Sequence, residues 1–149
     1  MAMALCSLGA EATGEYRGLL NQCIEASDLD TMKQTYEEHT KRSEALAESV
    51  GVADKAQAAC ELADQNFRSM RDDFMDDMPK DLTHVLSWIA LSSGGGIAIW
   101  GALEGLADAM GNSRLADLSN EALKFQKSTL ERAQKLLYNE AKKLAPAKG

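Results

Sequence analysis

Apolar and small residues recur along this chain at alternating steps of three and four, the spacing that lays a stripe on one face of an α-helix. The first stripe reads Leu5, Leu8, Ala12, Tyr16, Leu19, Cys23 and Ala26. Ser27 or Asp28 can then accept hydrogen bonds from free backbone N–H groups as an N-cap. The second stripe follows as Met32, Tyr36, His39, Ser43, Leu46 and Val50. Gly51 is placed to close that helix, because glycine enters the left-handed conformation at no steric cost. A third stripe, Ala56, Cys60, Ala63, Phe67, Met70 and Phe74, runs up to Pro79, which disfavours helical geometry in the residue before it. Asp81 is suited to cap a fourth helix with the stripe Leu82, Val85, Ile89, Ser93, Gly96, Trp100, Leu103, Ala107 and Met110. Gly111 stops it, and Asn112 or Ser113 caps a last helix through Leu118, Ala122, Phe125, Ala133 and Leu136 to about Lys143. Short connections force neighbouring helices to run antiparallel. The pattern predicts an all-α antiparallel bundle: two long helices, a crossover helix between about Ala53 and Asp77, then two more. It spans a single domain over 1–143 with a frayed tail over 144–149.

Three places break the stripes, and local inconsistency is where function or strain is expected. His39 and Ser43 stand on the buried face of the second helix; a histidine there is more often a satisfied core residue than a ligand. Ser92-Ser93-Gly94-Gly95-Gly96 interrupts the fourth helix, where each glycine costs about 1 kcal/mol relative to alanine. Close approach of another backbone or of Trp88 or Trp100 is the favoured account, with a kink or a small cavity as alternatives. The third break is acidic: Asp72, Asp73, Asp76 and Asp77, followed by Asp81, gather near a helix C-terminus where the dipole disfavours anions. A solvated helix end, with the basic last helix as an internal partner, is favoured over a cation site, since the calcium-loop pattern is missing.

Charge sharpens this picture. The chain of 149 residues carries a net charge of −7, which argues against nucleic acid as a partner. Residues 1–112 hold eight basic and nineteen acidic side chains, and 113–149 hold eight basic and four acidic, so the last helix is the positive face of an acidic protein. From Leu82 to Leu103 there is no Asp, Glu, Lys or Arg. That run is long enough by count to cross a bilayer, but serines, a histidine and glycines dilute it, and a buried central helix is the preferred reading. Three cysteines, Cys6, Cys23 and Cys60, lack zinc or disulfide spacing and read as reduced core residues. With no basic segment and long apolar run at the start, the expected location is the cytoplasm.

Catalysis in a bundle core usually rests on glutamates from facing helices plus Glu-x-x-His pairs, and no such pair occurs here: Tyr36 stands three residues before His39. Phosphate loops, zinc-binding His-Glu-x-x-His and nucleophile elbows are also missing from the sequence.

The segments Tyr36-Glu37-Glu38-His39-Thr40-Lys41-Arg42-Ser43, Ile97-Ala98-Ile99-Trp100-Gly101 and Leu106-Ala107-Asp108-Ala109-Met110-Gly111 resemble the second- and fourth-helix segments of the bacterial ferritin-like proteins of the YciE/YciF stress-associated type. The similarity is diffuse and runs over nearly the whole chain. It implies a ferritin-like four-helix bundle with an additional crossover helix, and a dimer. It also implies where metal ligands should fall. His39 is retained, but the glutamate three residues later is Arg42. The fourth-helix acids and histidine fall on Ser93, Gly94 and Gly96, and the adjacent acids of the last helix on Phe125 and Gln126. The first-helix glutamate falls near Thr13, between Glu11 and Glu15.

An empty dimetal site would leave buried carboxylates repelling one another, so losing them together preserves the scaffold; Arg42 is expected to pair with Glu15 or Glu11 in place of a cation. The resulting expectation is a non-catalytic, metal-free binding protein or dimeric scaffold, stress-associated, with a homodimer or another protein as partner and no cofactor. Its binding or structural positions would be Arg42, Ser93, Gly94, Gly96 and Trp100. The enzymatic alternative is an iron or manganese oxidase or peroxide-protective protein with ligands drawn from Glu11, Glu15, His39 and Glu121. A membrane-interacting protein using residues 82–103 is the third.

Overall fold

The computed structural model describes residues 15–76 and 81–144, and these are helical throughout apart from short connections. The helices are α1 (Glu15–Leu20), α2 (Ala26–Ser49), α3 (Ala53–Asp76), α4 (Leu82–Met110) and α5 (Ser113–Leu144). Their boundaries follow local chemistry. The Asp81 carboxylate accepts from the His84 backbone N–H at 2.9 Å and starts α4. Gly111, at φ +63°, ends α4, and its N–H bonds back to the Asp108 carbonyl. One residue on, the Asn112 side chain accepts from the Leu115 N–H and opens α5. Gly51, at φ +72°, turns the chain from α2 into α3.

Two boundaries differ from the sequence expectation. The first stripe does not continue as one helix into Ala26: α1 stops at Leu20, and a turn carries the chain through Cys23 to the start of α2. Residue Glu25, not Ser27 or Asp28, takes the N-cap position of α2, and it makes no side-chain cap bond. The Asp28 carboxylate is instead engaged by Arg132 of α5 at 2.6 Å. The beginning of the first stripe, including Leu5, Leu8, Ala12 and Cys6, lies outside the described residues, as do Asp77, Pro79 and the tail beyond Leu144.

Register points fix the packing. Glu104 meets Asn120 and Gly96 meets Gln126, so α4 and α5 run antiparallel. Asp28 meets Arg132, His39 meets Phe125 and Arg42 meets Glu121, so α2 also runs antiparallel to α5 and therefore parallel to α4. The main core lies near the start of α4, where Leu20, Ile24, Leu29, Met75, Val85, Leu86, Trp88, Ile89 and Ala133 close on one another. Phe67 and Phe74 bring the second half of α3 against the Trp88 ring, with centroids 5.1 and 5.6 Å apart.

The third stripe is covered only there. Cys60, Ala63 and Met70 are exposed, which corrects the reading of Cys60 as a core residue: spacing puts it on an apolar face, but no other described helix lies over that part of α3. Cys23 is partly buried against the core, and burial, with Glu140 nearby, pushes its thiol above the ordinary value; the charges on Arg132 and Lys143 oppose that shift. A thiol so placed is a poor nucleophile.

Candidate functional site

Several of the sequence positions singled out above lie on α2, α4 and α5. His39 and Arg42 lie one turn apart on α2, Glu121, Phe125 and Gln126 lie about one turn apart on α5, and Ser93 and Gly96 lie one turn apart on α4. His39 and Arg42 meet Phe125 and Glu121 across α2 and α5, while Gln126, adjacent to Phe125 and so on another face of α5, meets Gly96 of α4.

His39 is buried, and its imidazole meets the Phe125 ring edge-on, centroids 5.8 Å apart and planes at 78°. Burial lowers its pKa first and the Arg42 charge lowers it further, while Glu121 and Glu38 pull the other way. The histidine is thereby biased toward neutral imidazole. Beside it, Arg42 reaches across to Glu121 as a two-pronged ion pair, one guanidinium nitrogen on each carboxylate oxygen. That hydrogen-bonded pairing holds the Glu121 carboxyl below its ordinary value. The expected partners Glu11 and the Glu15 side chain lie outside the described part of the chain.

The glycine run behaves differently at each position. The helix continues unbroken through Ser92–Gly96. A Cβ on Gly94 or Gly95 would meet nothing within 4 Å, whereas one on Gly96 would lie 2.7 Å from Cδ and 2.9 Å from Oε1 of Gln126. Close approach is therefore the reason for one glycine of the three. The group that approaches is a buried glutamine of α5 rather than either tryptophan: Trp88 sits among Phe67 and Phe74, and Trp100 is half-buried further along α4. Ser93 is buried at the same level. Ser92 discharges its hydroxyl on the carbonyls of Trp88 and Ile89, at 2.7 and 3.0 Å.

Chemically, the gathered set offers one neutral imidazole and one carboxylate, and the carboxylate already holds a guanidinium. Among the described residues no group of three or more His, Cys, Asp or Glu side chains is arranged to hold a metal ion. Next to the pair, a surface cleft of about 370 Å³ opens between α2 and α5, lined by Arg42, Ala45, Leu46, Arg114, Asp117 and Leu118. Within the described part of the acidic segment Arg71 donates to the Asp72 carboxylate at 2.8 Å, Asp73 and Asp76 are exposed, and Asp81 serves as the α4 cap. Of the basic side chains of α5, Arg132 pairs across to Asp28 of α2.

Sequence reasoning missed Glu121 as the partner of Arg42 and Gln126 as the partner of Gly96. The signal for the second was the glycine itself; for the first there was none, since 79 residues separate the pair. Comparison with protein-family models, with curated proteins and with solved structures found no match for this chain.

Proposed function

We propose that the protein is a ferritin-like helical bundle that works without a dimetal site, as a non-catalytic, dimeric scaffold that binds through its surfaces. The observation that carries this reading is the filling of the region where the resemblance would put metal ligands. Gln126 occupies the volume left by Gly96, Phe125 abuts His39, and the Arg42 guanidinium neutralises Glu121. At His39, Arg42, Gly96, Phe125 and Gln126 the resemblance puts acids or histidines, and here these residues form packed contacts and, through Arg42, an ion pair with Glu121. A dinuclear centre does not fit that set: a divalent ion on Glu121 would have to displace a two-pronged cation, and Gln126 and Phe125 supply bulk where anionic oxygens are required. Location in the cytoplasm, a role in stress and the absence of a cofactor belong to the same proposal.

Elemental analysis of the purified protein, before and after aerobic incubation with ferrous iron and with His39→Ala as control, tests it. The expected result is no stoichiometric iron or manganese and no iron oxidation above background. Metal bound at about one ion per chain and lost in the control would replace this reading with a mononuclear oxidase that uses His39 and Glu121.

A further inference from the structure

The positive charge gathered in the last helix faces outward. Lys124, Lys127, Lys135 and Lys142 of α5 are all exposed. The ion pairs of α5 among the described residues are Glu121 with Arg42, Arg132 with Asp28 and Lys143 with Glu140, and none of the four lysines takes part in one. The described part of the acidic stretch on α3 makes no ion pair with them: Asp72 is held by its neighbour Arg71, and Asp73 and Asp76 are exposed. Lys124, Lys135 and Lys142 are spaced by eleven and seven residues, close to three and two turns, so they stand in one line along the helix, about 27 Å long. Lys127 and Tyr138, also eleven apart, flank that line. Tyr138 is 61% exposed, and the Lys142 ammonium lies 4.4 Å from the centre of its ring. Glu131 is the only exposed acid between Lys124 and Lys142.

We infer that this face of α5 docks an acidic helix of a partner protein, whose carboxylates are spaced two and three turns apart and meet the lysines one to one. The inference rests on the reading of the protein as a scaffold that binds through its surfaces, and assigns it a surface and a partner chemistry. Charge sets the sign of the partner. The lysine line is unpaired on a chain of net charge −7, whose other surfaces repel anions, so an acidic partner is steered to this face. Charge density sets its class. A nucleic-acid duplex carries one phosphate per about 1.7 Å, hence about sixteen along the line against four cations, and the surplus would lie against an acidic body. An anionic bilayer calls for apolar side chains that sink below the headgroups, and no Leu, Ile, Phe or Trp is exposed on α5 from Lys124 to Lys142. A helix with one carboxylate every two or three turns presents as many charges as the line accepts. Tyr138 supplies what protein interfaces favour, a rigid aromatic ring with a polar tip. An antiparallel partner also opposes the two helix dipoles.

Fluorescence anisotropy of a labelled helical peptide of alanine and glutamine, with glutamates at successive steps of seven and eleven residues, tests this on the full-length protein. The peptide should bind at low salt, dissociate in molar salt, and lose binding when its glutamates are replaced by glutamine. Lys135→Gln and Lys142→Gln should each weaken binding about threefold, and together about tenfold, with unchanged helical circular dichroism. Lys55→Gln makes the same change in net charge on the exposed surface of α3 and should leave binding unchanged. No peptide binding, or an equal loss with Lys55→Gln, overturns the inference. A parent that binds duplex DNA or phosphatidylserine vesicles more tightly than the peptide overturns it as well and assigns the face to that polyanion. Stoichiometric metal together with lysine-dependent peptide binding would overturn the scaffold reading alone. A metal-free protein that ignores the peptide would overturn this inference alone.

Discussion

The side chain of Gln126 on α5 stands where the Cβ of residue 96 on α4 would be, 2.7 Å from it at Cδ. Gln126 is buried at 3% exposure, shut between two helices, and cannot swing into solvent without leaving their interface. Gly96→Ala gains about 1 kcal/mol of helix propensity, but it forces an overpacked contact of about 1–3 kcal/mol. The expected net effect is a loss of about 1 kcal/mol in chemical denaturation. Gly94→Ala, which meets open space, should gain about 0.5–1 kcal/mol. In the Gly96→Ala, Gln126→Ala double variant the Gly96→Ala change should no longer cost stability. If Gly96→Ala alone stabilises as much as Gly94→Ala, the close approach does not constrain the fold.

How far the sequence could be read follows from what each signal encodes. Asp81, Asn112 and Gly111 announce helix ends because capping is a matter of a few adjacent residues, and all three act as predicted. Asp28 looked like a cap on the same grounds, yet its carboxylate goes to Arg132, 104 residues away, a competition that no local pattern contains. The stripe through Cys60 and Met70 correctly marks a helix, but periodicity says that a face exists and not that anything covers it. At Gly96 the sequence foretold a close approach and suggested an aromatic partner. The actual partner is a polar side chain thirty residues on, visible only once the α4–α5 register is known.

The Arg42–Glu121 pair spans α2 and α5 with side chains 37% and 51% exposed. Water screens such a pair, so Arg42→Ala should cost no more than about 1 kcal/mol, and the double-mutant coupling with Glu121→Gln should shrink in molar salt. The sign with pH is set by Glu121. Its folded pKa is depressed, so the contribution is present above the ordinary value of 4.5 and is lost as pH falls through the folded value. Denaturation midpoints of the parent and Arg42→Ala, compared on either side of that window, should converge at the acidic end. A cost of several kcal/mol at neutral pH would mean that the pair is buried by the partner or by the first stripe.

His39 acts with the same sign for a different reason. Its folded pKa lies below the ordinary 6.5 because burial and Arg42 disfavour the cation. In the interval between folded and unfolded values the unfolded chain binds more protons, so stability rises with pH there. On acidification the loss begins near 6.5 and is complete below the folded value. His39→Gln removes this group, and its stability profile between about pH 7.5 and 5 should be flatter than that of the parent. Arg42→Ala, which takes away one of the two causes, should move the His39 imidazole resonances in a proton NMR titration toward a higher midpoint. An unchanged midpoint would show that the Arg42 charge does not reach the ring.

Three buried polar atoms are left without a hydrogen-bond partner among the described residues, His84 Nδ1, Trp88 Nε1 and Ser119 Oγ, and the last two should respond differently to substitution. Ser119 is fully buried on α5. Its hydroxyl pays desolvation with no hydrogen bond in return, and serine is a weaker helix former than alanine. Ser119→Ala therefore removes a cost and leaves only a small void, and should raise stability by about 1 kcal/mol. Trp88 carries the same defect at Nε1, but its ring is the body against which Phe67 and Phe74 pack. Trp88→Ala should cost about 3–5 kcal/mol, from lost burial plus the cavity left behind, and should release α3 from the core. Trp88→Phe discards the unpaired N–H along with part of the ring and should cost clearly less than Trp88→Ala. Thermal denaturation of the three variants checks the ordering, with Ser119→Ala above the parent and Trp88→Ala lowest. If Ser119→Ala proves destabilising, the hydroxyl has found a partner in solution, and the α4–α5 interface is wetter than its packing implies.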